Sequence, residues 1–264
     1  MYFPKDIYSL RKIYKYIIKH KLEYFVIGKG TNLVINESYF NQVFINLKHL
    51  NDYFYLKDDK VLILSGNISS KIAYHLASLG YSGCEFLSVI PGTIGGAIYM
   101  NAGAYDSQMS DIIDSVLVID NTGHLKLIKN SDCEFSYRKS IFKIQKFIIL
   151  GATLKLIKVD SKEIPLEKIR HYVSSKKDNQ PLNAKSAGSA FLNPNGIQAW
   201  KLIDQMGYRG KCIGGAKVSE KHTNFLINHN HASFSDIYNL MLDITYHAKE
   251  KYDVDLECEW EILK

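Results

Sequence analysis

Two glycine-rich stretches carry the most chemistry in this chain: Gly28-Lys-Gly-Thr-Asn32 and Pro91-Gly-Thr-Ile-Gly-Gly-Ala97. Glycine lacks Cβ, so a backbone there can approach an anion closely, and consecutive N–H groups can form an anion-binding nest. Thr31 and Asn32 add side chains able to donate to phosphate oxygens. The second stretch spaces its glycines G-x-x-G-G, so the dinucleotide fingerprint fails, and no Gly-Lys-Ser/Thr exists to make a P-loop. Either loop alone is compatible with a tight turn. Two in one domain point to a pyrophosphate.

Four other places hold reactive side chains. Glu257, Glu259 and Glu261 alternate, so a strand puts all three on one face. Three like charges there usually mean solvent, and one aimed into a cleft is the sharper alternative. Arg138 follows Tyr137 in a strand-like run, where a surface ion pair is the ordinary role. Ser189 lies in Ala187-Gly-Ser-Ala-Phe191, which lacks the G-x-S-x-G elbow of hydrolases and reads as a turn. His229-Asn-His231 has no evident third ligand, so no metal site is expected.

The elements that must position these residues follow from periodicity. Residues 8–21 repeat Leu10, Ile13, Tyr14, Ile17 and Ile18 at helical spacing, with lysines mostly on other faces. Tyr24 to Ile27 and Val43 to Leu47 read as strands, the first leading straight into Gly28. Tyr53 to Leu56 and Val61 to Leu64 flank a hairpin turn, as do Val116 to Ile119 and Leu125 to Ile128 around Asp120-Asn-Thr-Gly123. Ser69 or Ser70 caps a helix that Gly80 closes. Phe147 to Leu156 is a further strand. Composition shifts near Lys158 to Lys162, giving domains of 1–160 and 161–264. The second domain holds helices at 163–177 and 197–206, a helix capped by Ser235, and a final strand from Val254 to Leu263.

Composition narrows the class. The chain has 264 residues, 46% of them hydrophobic and 23% charged, which is ordinary globular usage. A balance of 33 basic against 27 acidic residues, or +6, suits an anionic ligand and falls short of a nucleic-acid footprint. No run approaches the roughly 18 apolar residues of a membrane helix. Met1 to Asp6 shows no secretory leader, and four scattered cysteines form no C-x-x-C, so reduced thiols in a cytoplasmic protein are expected.

Taken together in order, several stretches resemble the UDP-N-acetylenolpyruvoylglucosamine reductase family. They are Gly28 to Asn32, Pro91 to Ala104, Phe135-Ser-Tyr-Arg138, Ser186 to Pro194, Gly214 to His222 and Leu256-Glu-Cys-Glu259. The resemblance spans nearly the whole chain and is similar to the compact form of the family, which lacks an extra tyrosine loop. It implies an α+β fold: a two-part FAD-binding domain of the vanillyl-alcohol-oxidase type and a smaller substrate domain. The implied activity is NADPH-dependent reduction of an enolpyruvyl ether to a lactyl ether through FAD, in peptidoglycan precursor synthesis.

The resemblance also assigns roles. Gly28, Lys29, Gly30, Thr31 and Asn32, with Pro91, Gly92, Thr93, Gly95, Gly96 and Ala97, would hold FAD. Arg138 would hold the substrate carboxylate, Ser189 would donate a proton to the α-carbon, and Glu259 would support the enol intermediate, with Glu261 as the alternative. Tyr137, Asn193, Arg209 and His222 would contact the nucleotide sugar. The implied partners are small molecules: neither nucleic acid nor membrane insertion is expected, and the protein is expected to be a monomer.

Departures from the family pattern carry expectations too. The family begins with a further segment, whereas here Met1 falls almost directly before the first helix. Either the start is displaced, or an edge element is lost and FAD is held less tightly. The family's final glycine and tail are not found after Lys264. Leu192 and Asn179 stand where lysines are common, which weakens diphosphate binding unless Lys176, Lys177 or Lys185 compensates. Two other readings remain open: a non-catalytic remnant that binds a nucleotide sugar, and a different flavin-dependent oxidoreductase on the same fold.

Overall fold

The computed structural model describes residues 1–38, 40–194 and 196–264. The chain forms two compact units, Met1–Lys29 with Asn41–Ser174, and Gly30–Phe40 with Ser175–Lys264. This division differs from a boundary at 160/161 in two places. The helix Glu163–Asn179 begins in the first unit, because Ile169 and Tyr172 bury their side chains in that unit's core. Gly30–Phe40 joins the second unit, because Leu33–Ile35 pairs in parallel with Glu261–Leu263 and Val34 packs on the second core. A parallel partner so distant in sequence leaves no local trace.

The first unit is built on a five-stranded antiparallel sheet. Its order is Leu125–Lys129, Ile113–Ile119, Ile148–Lys155, Lys60–Leu64, Tyr53–Tyr55. Both hairpins expected from the turn residues are present in this sheet. The central strand buries Ile148, Ile149, Leu150, Ala152 and Leu154, as a strand covered on both faces does. Helix Ile7–Lys19 opens with Asp6 accepting the Ser9 N–H at 2.6 Å while the Ser9 hydroxyl accepts the Asp6 N–H. Its stripe of Leu10, Tyr14 and Ile17 packs with Ile45, Leu47, Leu64 and Leu150. Tyr24–Ile27 pairs in parallel with Val43–Asn46. Beside that pair Tyr2 makes a single parallel bridge, donating to Phe44 O at 2.7 Å and accepting from Asn46 N at 2.9 Å.

The second unit holds a three-stranded antiparallel sheet, Cys212–Ile213, Ala216–Val218 and Leu226–Asn228, with helices Ala199–Gln205 and Phe234–Tyr252. Leu240, Met241, Ile244 and Ala248 bury one stripe of the longer helix against Phe191, Leu202 and Trp260.

Three local expectations are corrected. Ser233, not Ser235, caps the long helix, its hydroxyl accepting the Asp236 N–H at 3.1 Å. Ser69 and Ser70 lie inside Ser69–Ser78, whose cap position is Ile68, while Gly80 does close it at φ +79°. The final strand is limited to Glu261–Leu263. Cys258 makes only an isolated bridge to Phe191, and the chain bends at Trp260.

Candidate active site

Within the first unit the structure brings Gly28 against the second glycine loop. A Cβ on Gly28 would lie 2.4 Å from Thr93 Oγ1, so only glycine fits there. Asn46 Nδ2 donates to Gly28 O at 3.0 Å and fixes the loop from the other side. Thr93 caps the short helix Ile94–Tyr99, accepting the Gly96 N–H. The Ile94 and Gly95 N–H groups donate to Asn67 O at 2.9 Å and Ser65 O at 3.0 Å. The consecutive donors expected to form an anion nest at 94–96 are therefore spent within the protein. Gly95 is needed for close packing, since its Cβ would meet Ser65 Cβ at 2.8 Å. Gly92 (φ +111°) is buried, whereas Pro91, Gly96 and Lys29 are exposed.

Arg138 sits in a turn rather than a strand. Ser136 and Lys139 exchange two backbone hydrogen bonds of 3.1 Å, leaving Tyr137 and Arg138 at the tip. Arg138 has φ +57°, a conformation non-glycine residues rarely adopt. Its Nη2 donates to Gly103 O at 2.8 Å, and its guanidinium lies 5.0 Å from the centre of the exposed Tyr137 ring.

In the second unit the backbone draws Ser189 and Glu259 into neighbouring segments. Ser189 bridges Phe225, Ala190 N donates to Asn224 O at 2.8 Å, and Glu259 N donates to Ala190 O at 2.9 Å. Asn32 Nδ2 donates to Glu259 O at 3.0 Å, and Glu261 N donates to Asn32 O at 3.0 Å. Asn32 thus clamps the backbone around Glu259. Glu257 is exposed and Glu259 and Glu261 are half-buried, so the common face expected of them does not form. The break in the strand is the reason: Glu259 falls where the chain leaves the 190–192 segment for Leu33–Ile35.

The remaining residues have definite local duties. Asn193 Oδ1 accepts the Ala199 N–H at 3.0 Å at the start of helix Ala199–Gln205. Arg209 makes a two-pronged contact with Asp204, Nε and Nη2 each at 2.8 Å, and also donates to Glu220 O. That bond holds the Asp204 carboxyl below its ordinary range. His222 packs edge-on to Phe225 at 5.0 Å, and its Nδ1 is buried with no hydrogen-bond partner among the described residues. Burial, with the Arg209 charge behind it, pushes the His222 imidazole below its ordinary pKa of 6.5. Leu192 is a buried core residue. Burial also lowers the Lys176 ammonium, and the Asn179 amide is turned back on Ser175 O at 2.8 Å.

Sequence reasoning missed two buried asparagines. Asn224 brackets Phe191 with both ends of its amide, at 2.9 and 2.8 Å. Asn101 is fully buried beneath the Tyr137–Arg138 turn. The available signal was a lone amide inside an apolar or glycine-rich run, which must be satisfied if buried.

Comparison with known proteins defines the class first. Residues 1–128 match a model of an FAD binding domain, so the chain is an α+β flavoprotein. Residues 180–263 match the C-terminal domain of UDP-N-acetylenolpyruvoylglucosamine reductase. The chain is 39% identical over 97% of its length to the UDP-N-acetylenolpyruvoylglucosamine reductase of Caldanaerobacter subterraneus subsp. tengcongensis, covering 84% of that protein. It is 38% identical over 98% of its length to the enzyme of that name from Clostridium tetani, covering 86% of it. The crystal structure of the UDP-N-acetylenolpyruvylglucosamine reductase from Thermus caldophilus superposes with a TM-score of 0.83 at 30% identity, over 99% of this chain and 91% of that one. The chain belongs to the UDP-N-acetylenolpyruvoylglucosamine reductase family.

The FAD that the matched domain implies is compatible with the place where Gly28 meets the Pro91–Ala97 loop. Gly28 and Thr93 approach closely there, and the exposed Lys29 beside Gly28 supplies a cation suited to an anionic group.

Proposed function

We propose that this chain reduces the enolpyruvyl ether of UDP-N-acetylglucosamine enolpyruvate to the lactyl ether of UDP-N-acetylmuramate, a step in peptidoglycan precursor synthesis. The observation that carries the reading is the conjunction on one chain of an FAD-binding segment at 1–128 and a reductase C-terminal segment at 180–263. FAD, when bound, supplies two-electron carriage from NADPH to the enol β-carbon. We assign it to Gly28–Asn32 and Pro91–Ala97, with the Lys29 charge supplying attraction to its phosphates.

Hydride arrival at the β-carbon drives charge toward the substrate carboxylate, and the α-carbon must take a proton. The Arg138 guanidinium is a fixed fork of donors that stays cationic, so it holds that carboxylate as charge builds. The Ser189 hydroxyl is a weak acid and serves only toward a very basic carbon, which the developing centre is. The Glu259 carboxyl, on the residue whose N–H donates to Ala190 O next to Ser189, supports the intermediate. Tyr137, Asn193 and His222 orient the nucleotide sugar. The orphan His222 Nδ1 is a ready partner for a substrate group. Arg209 reaches the diphosphate with the N–H groups that Asp204 and Glu220 leave over. The enzyme works as a monomer in the cytoplasm, a setting that suits the reduced thiols of Cys84, Cys133 and Cys212.

The test is an anaerobic visible spectrum of the FAD-supplied protein. NADPH should bleach the flavin bands, and the enolpyruvyl nucleotide sugar should restore them. Ser189→Ala should leave bleaching intact and slow restoration. Equal slowing of both halves would remove Ser189 as proton donor, and protein that stays colourless in excess FAD would remove the enzyme reading.

A further inference from the structure

We infer that Asn101 is a positioning residue that holds Arg138 in its working geometry. The inference rests on the role of Arg138 proposed above. Asn101 is 0% exposed and has φ +42°. Asparagine is one of the few residues other than glycine that tolerates this region, but an ordinary surface turn does not need it buried.

Its side chain is fully used. Oδ1 accepts the Ser110 N–H at 2.9 Å. Nδ2 donates to Ser136 O at 2.9 Å and to Gln108 Oε1 at 3.1 Å. Each donor bond leads to one support of Arg138. Ser136 is the first residue of the turn that carries Tyr137 and Arg138. Gln108 is the register partner of Gly103 in the hairpin Gly103–Ala104 with Ser107–Gln108, and Gly103 O receives the guanidinium. One buried amide therefore ties the backbone that carries the guanidinium to the strand pair that receives it.

The tie is needed because Arg138 is held in a left-handed conformation at φ +57°, which costs free energy unless the surroundings fix it. The chemistry of the tie selects an amide. Two donors and one acceptor are required on a short side chain. Aspartate keeps the acceptor toward Ser110 and loses both donors, placing a carboxylate oxygen against Ser136 O. The Gln108 amide can turn to meet it, but a backbone carbonyl cannot.

The experiment uses the FAD-loaded full chain in anaerobic stopped flow, with Asn101→Asp and Asn101→Gly. Glycine suits the backbone angle and deletes the amide, so it separates the side-chain bonds from backbone strain. Flavin reduction by NADPH should stay within about twofold of wild type. Reoxidation by the enolpyruvyl nucleotide sugar should slow roughly 10- to 100-fold, the scale of a misplaced catalytic group. The loss should fall mainly on the limiting rate and less on half-saturation. In an Arg138→Lys background the same changes should add much less than they do in wild type.

Reoxidation within about twofold of wild type, equal slowing of both half-reactions, or full additivity with Arg138→Lys would each overturn the inference. Should neither variant hold FAD, Gln108→Ala decides. It cuts one of the two ties and should slow reoxidation in the same direction, and an unchanged rate there overturns the inference. A wild-type flavin that the nucleotide sugar cannot reoxidise overturns the proposed function, and this inference with it. A wild type that turns over normally beside unaffected variants overturns this inference alone.

Discussion

Adding one methyl group at Gly28 should damage the first unit, and removing part of a side chain 65 positions away should undo the damage. An alanine Cβ at 28 lies 2.4 Å from Thr93 Oγ1, 3.3 Å from its Cγ2 and 3.5 Å from its Cβ. The hydroxyl must therefore retreat by about 1 Å to reach ordinary contact. Thr93 has little freedom to do so. It is 6% exposed, caps Ile94–Tyr99 and bridges Ile68. Rotating it away forfeits the cap, worth about 1 kcal/mol. Moving the backbone instead brings an overpacking cost of about 1–3 kcal/mol. Gly28→Ala should thus cost about 2–3 kcal/mol and Thr93→Ala about 1 kcal/mol. In the double variant the nearest atom of residue 93 is its Cβ at 3.5 Å, an ordinary contact. The pair should then cost about what Thr93→Ala costs alone, a coupling of about 2–3 kcal/mol. Urea unfolding followed by far-ultraviolet circular dichroism measures all four corners of the cycle. Additivity within about 0.5 kcal/mol would mean that the two loops do not touch, and the FAD site built on their contact would fall with it.

Two further outcomes follow from titrating groups. Burial pushes the thiols of Cys84 and Cys133 up to about 12, while Cys212 is exposed, so a thiol reagent at pH 8 should label Cys212 quickly and spare Cys84 and Cys133 until unfolding. Rapid labelling of Cys84 in the native protein would contradict its burial. Because His222 binds its proton less readily folded than unfolded, the unfolded chain holds more protons between the lowered native value and 6.5. Stability contributed by His222 is therefore full above 6.5 and lost as pH falls through that window. His222→Phe should flatten the acid side of the pH–stability curve, and an unchanged slope would show that His222 titrates normally.

The elements legible in the sequence were those whose partners lie nearby. Asp120-Asn-Thr-Gly123 makes its hairpin because Asp120 gathers the Thr122 and His124 N–H groups locally, a device written in adjacent residues. Leu33–Ile35 was illegible for the opposite reason. Its three residues show no distinctive period, and its partner is Glu261–Leu263. The same long-range pairing cut the final strand short and moved Glu259 to the place where the chain changes partners. Residue types at the site were legible through the family resemblance, but their conformations were not. Nothing local announces that Arg138 turns left-handed, because the hold on it comes from Asn101 and Gly103, which lie in another segment.

The glycine motif shows why a pattern and its mechanism must be argued separately. An anion nest needs consecutive N–H groups that have nowhere else to donate. At Ile94, Gly95 and Gly96 those groups are committed to Asn67 O, Ser65 O and Thr93 Oγ1. Gly28 and Gly95 are required because a side chain would collide with Thr93 and Ser65, which is a packing reason. Much of the glycine pattern therefore serves packing rather than anion donation. Attraction for an anionic cofactor must then come from groups that remain free, and beside Gly28 the exposed Lys29 ammonium is one. A nest would be indifferent to Lys29. A site with few free donors depends on it, and weakened FAD binding at raised ionic strength is the behaviour that separates the two.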